Sequence, residues 1–251
     1  MKARANGATG LVKYAGNALA AGICFLFFGL HARAQGNINL NDLTQETQKL
    51  SQNPGEMTLL WWIPEEFWRA SMSQDPDVTK AKMEEFLKVI RPYTLLAVVD
   101  GTMGAFGGVT YKSEETIRGS VKIKDSQGRI YLPLAESAVS PDAKNMLQTI
   151  KPVIVNILGP MGQNMHFLLF PGNAKDGAPV IDPKKKGTFS VVLGEKDYRW
   201  RLPLDSLFPS TTCPKCGEVC KGSWAFCPWC GTKLTAASAP QPKPIEKKSG
   251  S

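Results

Sequence analysis

Four cysteines carry the most definite chemistry in this chain. Cys213-Pro-Lys-Cys216-Gly217 and Cys227-Pro-Trp-Cys230-Gly231 are two copies of one pattern, with ten residues between Cys216 and Cys227. A Cys-x-x-Cys pair is a tight turn that aims two sulfurs at one point, and two such pairs supply the four thiolates of a tetrahedral metal site. Pro214 and Pro228 fix φ just after the first ligand of each pair, and Gly217 and Gly231 stand where a positive φ is needed. The stretch Glu218 to Phe226 is long enough for a short hairpin and too short for a hydrophobic core. A metal ion must therefore do what packing cannot. Thiolates accept zinc or iron, and zinc is the expected ion. A pair of disulfides without metal remains the rival arrangement. Cys220 is a fifth thiol that competes as a ligand.

The paired knuckles resemble the zinc-ribbon family over residues 211 to 234, with Cys213, Cys216, Cys227 and Cys230 at the family's ligand positions. The resemblance implies a small Cys-ligated β-hairpin module with structural zinc. The chain departs from the family in the short gap between knuckles and in Cys220. Intracellular zinc ribbons often bind nucleic acid, which makes a nucleic-acid-binding protein one alternative if the chain is not exported.

Other candidates are weaker. Asp100 stands in a glycine-rich stretch, Val99 to Gly108, after an apolar run. No Gly-Lys-Ser/Thr follows and the next residues read extended, so a turn is expected rather than a phosphate cradle. His166 lies between Met165 and Phe167 in an apolar strand. An extracytoplasmic hydrolase using Asp100 and His166 is the enzymatic alternative, although no Gly-x-Ser-x-Gly elbow is present. Glu65-Glu66, Glu84-Glu85 and Glu114-Glu115 are adjacent acids whose side chains diverge in either regular structure. They read as solvated surface. Arg199 and Arg201 share one face of a strand and could grip an anion, or simply form the polar side of a hairpin.

What must position these residues follows from the rest of the 251-residue chain. Residues 1–34 read as a signal peptide. Lys2, Arg4 and Lys13 precede the apolar run Ala18 to Leu30, and Ala32-Arg33-Ala34 supplies a small–x–small cleavage site. Cleavage there gives a periplasmic or secreted protein, and retention gives an N-terminal anchor with the remainder facing outward. Formal charge is +8. Taking the leader's four basic residues from 30 leaves 26 against 22 acidic, so the basic balance is weak evidence for nucleic acid.

Residues 35–56 are rich in Asn, Gln and Thr and read as a flexible linker, with a short helix allowed around Leu43 to Leu50. Residues 57–208 read as an α+β domain with a mostly antiparallel sheet and about three helices. Pro64-Glu65-Glu66 opens one helix. Asp75-Pro76 opens a second, with Met83, Phe86, Leu87 and Ile90 as its apolar stripe. Ser140-Pro141-Asp142 opens a third. Tyr93 to Val99 is a central strand, apolar on both faces. Ile117, Gly119, Val121 and Ile123 alternate with polar residues, which predicts a half-exposed strand. The metal module occupies 209–234 and a Pro/Lys/Ser-rich disordered tail 235–251. With one structural site and no assembled catalytic set, the expected function is a non-enzymatic binding or interaction protein with an unidentified protein or small-molecule partner.

Overall fold

A computed structural model describes residues 38–234, without the side chains of 153–157. The expected leader, 1–34, and tail, 235–251, lie outside the described residues. The class is α+β with antiparallel sheets, as expected, but six helices lie among the described residues where about three were predicted.

Two sheets form the body. The first takes the order β1 (Gln48–Leu50), β2 (Glu56–Ile63), β3 (Tyr93–Met103) and β4 (Val109–Tyr111), with β7 (His166–Pro171) also pairing with β3. The second runs β6 (Ile130–Tyr131), β5 (Val121–Lys124), β8 (Gly187–Leu193), β9 (Lys196–Leu202). Every pairing is antiparallel. β3 is the hinge of the architecture. One of its edges meets β2 along eight residue pairs, and the other is shared end to end by β7 and β4.

β2 and β3 are buried on both faces because each face has a different cover. Trp61 packs edge-on against Phe67 at 5.2 Å and donates its indole N–H to Thr47 Oγ1, so this face meets helices. Trp62 points the other way and meets Phe189 of β8 at 4.8 Å. Trp61, Trp62, Trp68 and Trp200 are all core, as expected.

The helices are α1 (Leu40–Thr47), α2 (Glu65–Met72), α3 (Lys80–Ile90), α4 (Glu114–Ser120), α5 (Pro141–Leu158) and α6 (Pro160–Gln163). α2 starts where Pro64 and two acids predict. α3 buries Met83, Leu87 and Ile90 as its stripe requires, but it starts later than expected. Asp75 accepts the Asp77 N–H in a turn of its own, and Thr79 is the cap.

Two expectations are corrected. The stretch from residue 38 to Leu50 is no flexible linker. Asn39 caps α1 by accepting the N–H groups of Asn41 and Asp42, and Leu40, Leu43 and Thr47 are buried at helical spacing. Ile117 to Lys124 is not one strand. Ser113 Oγ accepts the Thr116 N–H and caps α4, Glu114 and Glu115 occupy its positive end, and β5 starts only at Val121. Ile117 is the fully buried residue of that helix turn.

Glu56 at the start of β2 pairs with Lys196 at the start of β9, tying the two sheets together. Lys196, then Ser51, hold the Glu56 carboxyl down to about 2 from 4.5. A carboxyl depressed in the folded state stabilises above its unfolded pKa, and that contribution disappears as pH falls from about 4.5 towards 2. The stability of Glu56→Gln should therefore lie below that of wild type at neutral pH, run parallel to it there, and fall less steeply between about pH 4.5 and 2. Identical acid limbs for the two proteins would refute the assignment.

Candidate metal centre

The chain reaches the four cysteines through a seam rather than a free linker. After β9 and the cis Leu202-Pro203 bond, residues Asp205–Leu207 make a single 3-10 turn. Its exposed N–H groups are taken by Glu46 of α1: Asp205 N–H donates to one carboxylate oxygen at 3.1 Å and Ser206 N–H to the other at 3.0 Å. Asp205 in turn accepts Lys221 Nζ at 2.6 Å and the Ser223 hydroxyl. Gly222 lies so close to the Phe208-Pro209 backbone that a Cβ would sit 2.1 Å from the Pro209 carbonyl oxygen. Gly222→Ala should thus force the seam open, costing about 1–3 kcal/mol as overpacking does. Faster amide exchange over residues 219–224 with unchanged exchange in β2 and β3 is the expected signature; wild-type protection throughout would show that no contact is forced apart.

The two knuckles are built alike, bond for bond. Gly217 N–H donates to Cys213 O at 3.0 Å, and Gly231 N–H to Cys227 O at 2.9 Å. Cys213 N–H donates to Glu218 O and Cys227 N–H to Thr232 O, both at 2.8 Å. Gly217 and Gly231 have φ of 75° and 68°, the left-handed region that only glycine enters without strain. A two-residue ladder, β10 (Thr211–Thr212) with β11 (Val219–Cys220), and a bridge from Phe226 to Lys233 close the module.

This backbone gathers Cys213, Cys216, Cys227 and Cys230 so that their sulfurs all lie within 4.8 Å of one another. Cys213 to Cys230 and Cys216 to Cys227 are each 3.6 Å. A tetrahedral ion about 2.3 Å from each sulfur spaces its sulfurs about 3.8 Å apart, whereas a disulfide requires about 2.05 Å. All five described cysteines are free thiols. The tetrad therefore fits a thiolate-bound metal ion. Its electrostatics point the same way. Thr232, through its hydroxyl and then its backbone N–H, takes Cys230 down to about 6. The Glu218 N–H lowers Cys216, but burial and the facing thiols raise it further, to about 12. Four thiolates this close cannot all ionise without a cation among them.

Cys220 lies outside the tetrad. It is fully buried on β11 with Cys213, Cys227 and Leu234, and its thiol points at Glu218 O at 3.7 Å. Burial pushes it up to about 11, which keeps it a neutral, small apolar side chain.

The remaining candidates are placed as follows. Thr58 pairs with Asp100 across β2 and β3, and Val98 pairs with His166 across β3 and β7, so Asp100 and His166 occupy one face of the first sheet. Their partners differ. Asp100 is buried and accepts the Thr58 hydroxyl at 2.9 Å and Lys112 Nζ at 2.7 Å. His166 Nδ1 lies 3.5 Å from Glu114. Neither residue lines the cleft of about 310 Å³ beside Arg118 and Lys144, nor that of about 430 Å³ beside Trp62 and Arg91. The glycine-rich stretch continues β3 to Met103, turns at Gly104 to Gly107 and returns as β4. No helix N-terminus follows it.

Four of the six adjacent acids, Glu65, Glu66, Glu84 and Glu114, are ion-paired rather than merely solvated. Glu65 and Glu84 both bridge Arg69 and Arg91, and Glu66 meets Lys184. The seam is not foreshadowed by any motif in the sequence. Its signal was faint: Glu46 sits in a polar stretch with Lys49 three residues on as a ready local partner, whereas the groups it does bind are backbone N–H groups 159 and 160 positions away.

Compared with known proteins, the chain matches no family model, no curated protein and no solved structure.

Proposed function

We propose that the chain is an exported, non-catalytic binding or interaction protein whose C-terminal module is a zinc ribbon. The observation that carries the metal reading is the sulfur tetrad at metal-binding spacing, formed by two knuckles with the same hydrogen bonds and the same glycine conformation. Cys213, Cys216, Cys227 and Cys230 would hold the ion, which would supply structure rather than chemistry: four thiolates leave no open position for a substrate. Zinc is the ion we assign. Backbone N–H groups of Glu218 and Thr232 share the thiolate charge, and Cys220 packs beneath as part of the module's small core. The seam through Asp205 fastens the module to the body, so it acts as a fixed part of the binding surface.

Protein purified from the extracytoplasmic fraction and subjected to elemental analysis and thiol counting tests both halves. One zinc per chain, with four thiols reactive only after chelation, is the expected result. Disulfides among these cysteines with no metal would end the zinc reading, iron in the tetrad would correct the ion, and recovery with an intact leader only from the cytosol would end the export reading.

A further inference from the structure

The outward face of the second sheet carries a charge pattern that the metal module does not explain. In the register of that sheet, Arg199 of β9 pairs with Ser190 of β8, which pairs with Lys124 of β5, which pairs with Ile130 of β6. Arg201 pairs with Thr188, and Val192 joins Asp197 to Lys122. Directly paired residues project from the same side. Arg199, Arg201, Lys122 and Lys124 therefore share one face, opposite the buried side chains of Phe189, Val191 and Trp200.

Six arginines lie among the described residues. Arg69, Arg91, Arg118 and Arg129 each hold a carboxylate at 3.2 Å or less. Arg199 and Arg201 hold none among the described residues, and neither do Lys122 and Lys124. Asp197 is the one acid on the paired positions of this face. Among the described residues the other four arginines are paired, and these two are left open, side by side, with two lysines across the strands.

We infer that this face docks on an anionic phospholipid surface. The face is one side of a four-stranded sheet, and neither cleft reaches it. Cations two residues apart on a strand stand about 7 Å apart, and neighbouring strands about 4.8 Å, so the patch presents its charges in a plane rather than along a groove. Guanidinium forks bind phosphate oxygens bidentately, and the Thr188 hydroxyl stands beside Arg201. Ile130, 57% exposed, adds an aliphatic side chain to the same face, the kind that enters a headgroup layer. No aromatic residue stands among these positions to stack a nucleic-acid base, so single-stranded nucleic acid lacks its platform here. The inference does not depend on what the cysteines hold.

The test is co-sedimentation of the full chain with vesicles of phosphatidylcholine alone and of phosphatidylcholine and phosphatidylglycerol in equal parts. The part of the binding that depends on Arg199 and Arg201 should need the anionic lipid and fall with added salt. Each cation removed should weaken it about fivefold, so R199A/R201A should lose about 25-fold, and R199K/R201K, which keeps the charges and gives up the forks, should fall between that variant and wild type. The apolar leader and its basic flank are identical in every variant, so differences between variants read the sheet face alone. K80A/K88A makes the same charge change on α3 and should bind like wild type. Wild-type binding to anionic vesicles by R199A/R201A, equal loss in K80A/K88A, or arginine-dependent binding of duplex DNA without arginine-dependent binding of vesicles would each overturn the inference.

Discussion

Serine in place of Cys227 should abolish metal binding and unfold residues 211–234 while leaving the body folded. The expectation rests on the separation of two cores. The main apolar cluster runs from Leu40 to Leu204, and the module's own cluster is no more than three cysteines and Leu234 with Trp224 and Cys230 against it. So small a core cannot hold a fold alone. Small metal-ligated modules owe on the order of 10 kcal/mol of apparent folding free energy to the ion at neutral pH. Cys227→Ser removes one of the four thiolates, and a serine hydroxyl, un-ionised at neutral pH, is a poor replacement for it as a ligand. Chelation of the wild-type protein should have the same effect as Cys227→Ser. Cys220→Ala should retain full metal content, because Cys220 packs beneath the tetrad without belonging to it. Metal content by mass spectrometry and amide exchange across 211–234 decide the matter. A Cys227→Ser protein with full protection there would mean that packing suffices. Metal loss in Cys220→Ala would bring Cys220 back as a ligand.

The largest loss in the body should come from Trp200→Ala, about 3–5 kcal/mol. Trp200 is 1% exposed, its ring stacked on Phe189 at 4.9 Å with the planes 6° apart. Phe189 in turn meets Trp62 of the first sheet. Removing the indole leaves a cavity at the place where the two sheets touch, and the neighbours belong to strands that cannot collapse into it. Trp200→Phe should cost much less, because its indole N–H has no hydrogen-bond partner to lose and the stacked ring survives. Urea unfolding monitored by circular dichroism measures both. Equal costs for the two variants would show that the site requires the indole itself, and neither filled volume nor a stacked ring in general.

What could be read in the sequence depended on how local the cause was. The knuckles were legible because proline, cysteine and glycine at fixed offsets determine a turn without help from elsewhere. α2 was legible from Pro64, Glu65 and Glu66, and β3 from an apolar run that only a two-faced burial explains. α1 was hidden because its buried face includes Thr47, whose hydroxyl donates to Leu43 O and accepts from Trp61. A polar residue doing a core task looks like spacer until its partner is known. α4 was hidden by a coincidence of period: Ile117, Val121 and Ile123 alternate, but the first belongs to a helix and the others to a strand. The Ser113 cap with two acids after it was the better signal. The seam was illegible since both ends of it lie far apart in the chain.

That seam joins Glu46, near the beginning of the described chain, to Asp205 and from there to Lys221 and Ser223. Whatever orders one side of it thereby favours the other, and thermodynamic linkage makes the effect mutual. Filling the cysteine tetrad should quieten the helix at residues 40–47, and loosening that helix should weaken the hold on the ion. The two extremities of the fold would then answer to a single equilibrium, with the large sheets between them as bystanders.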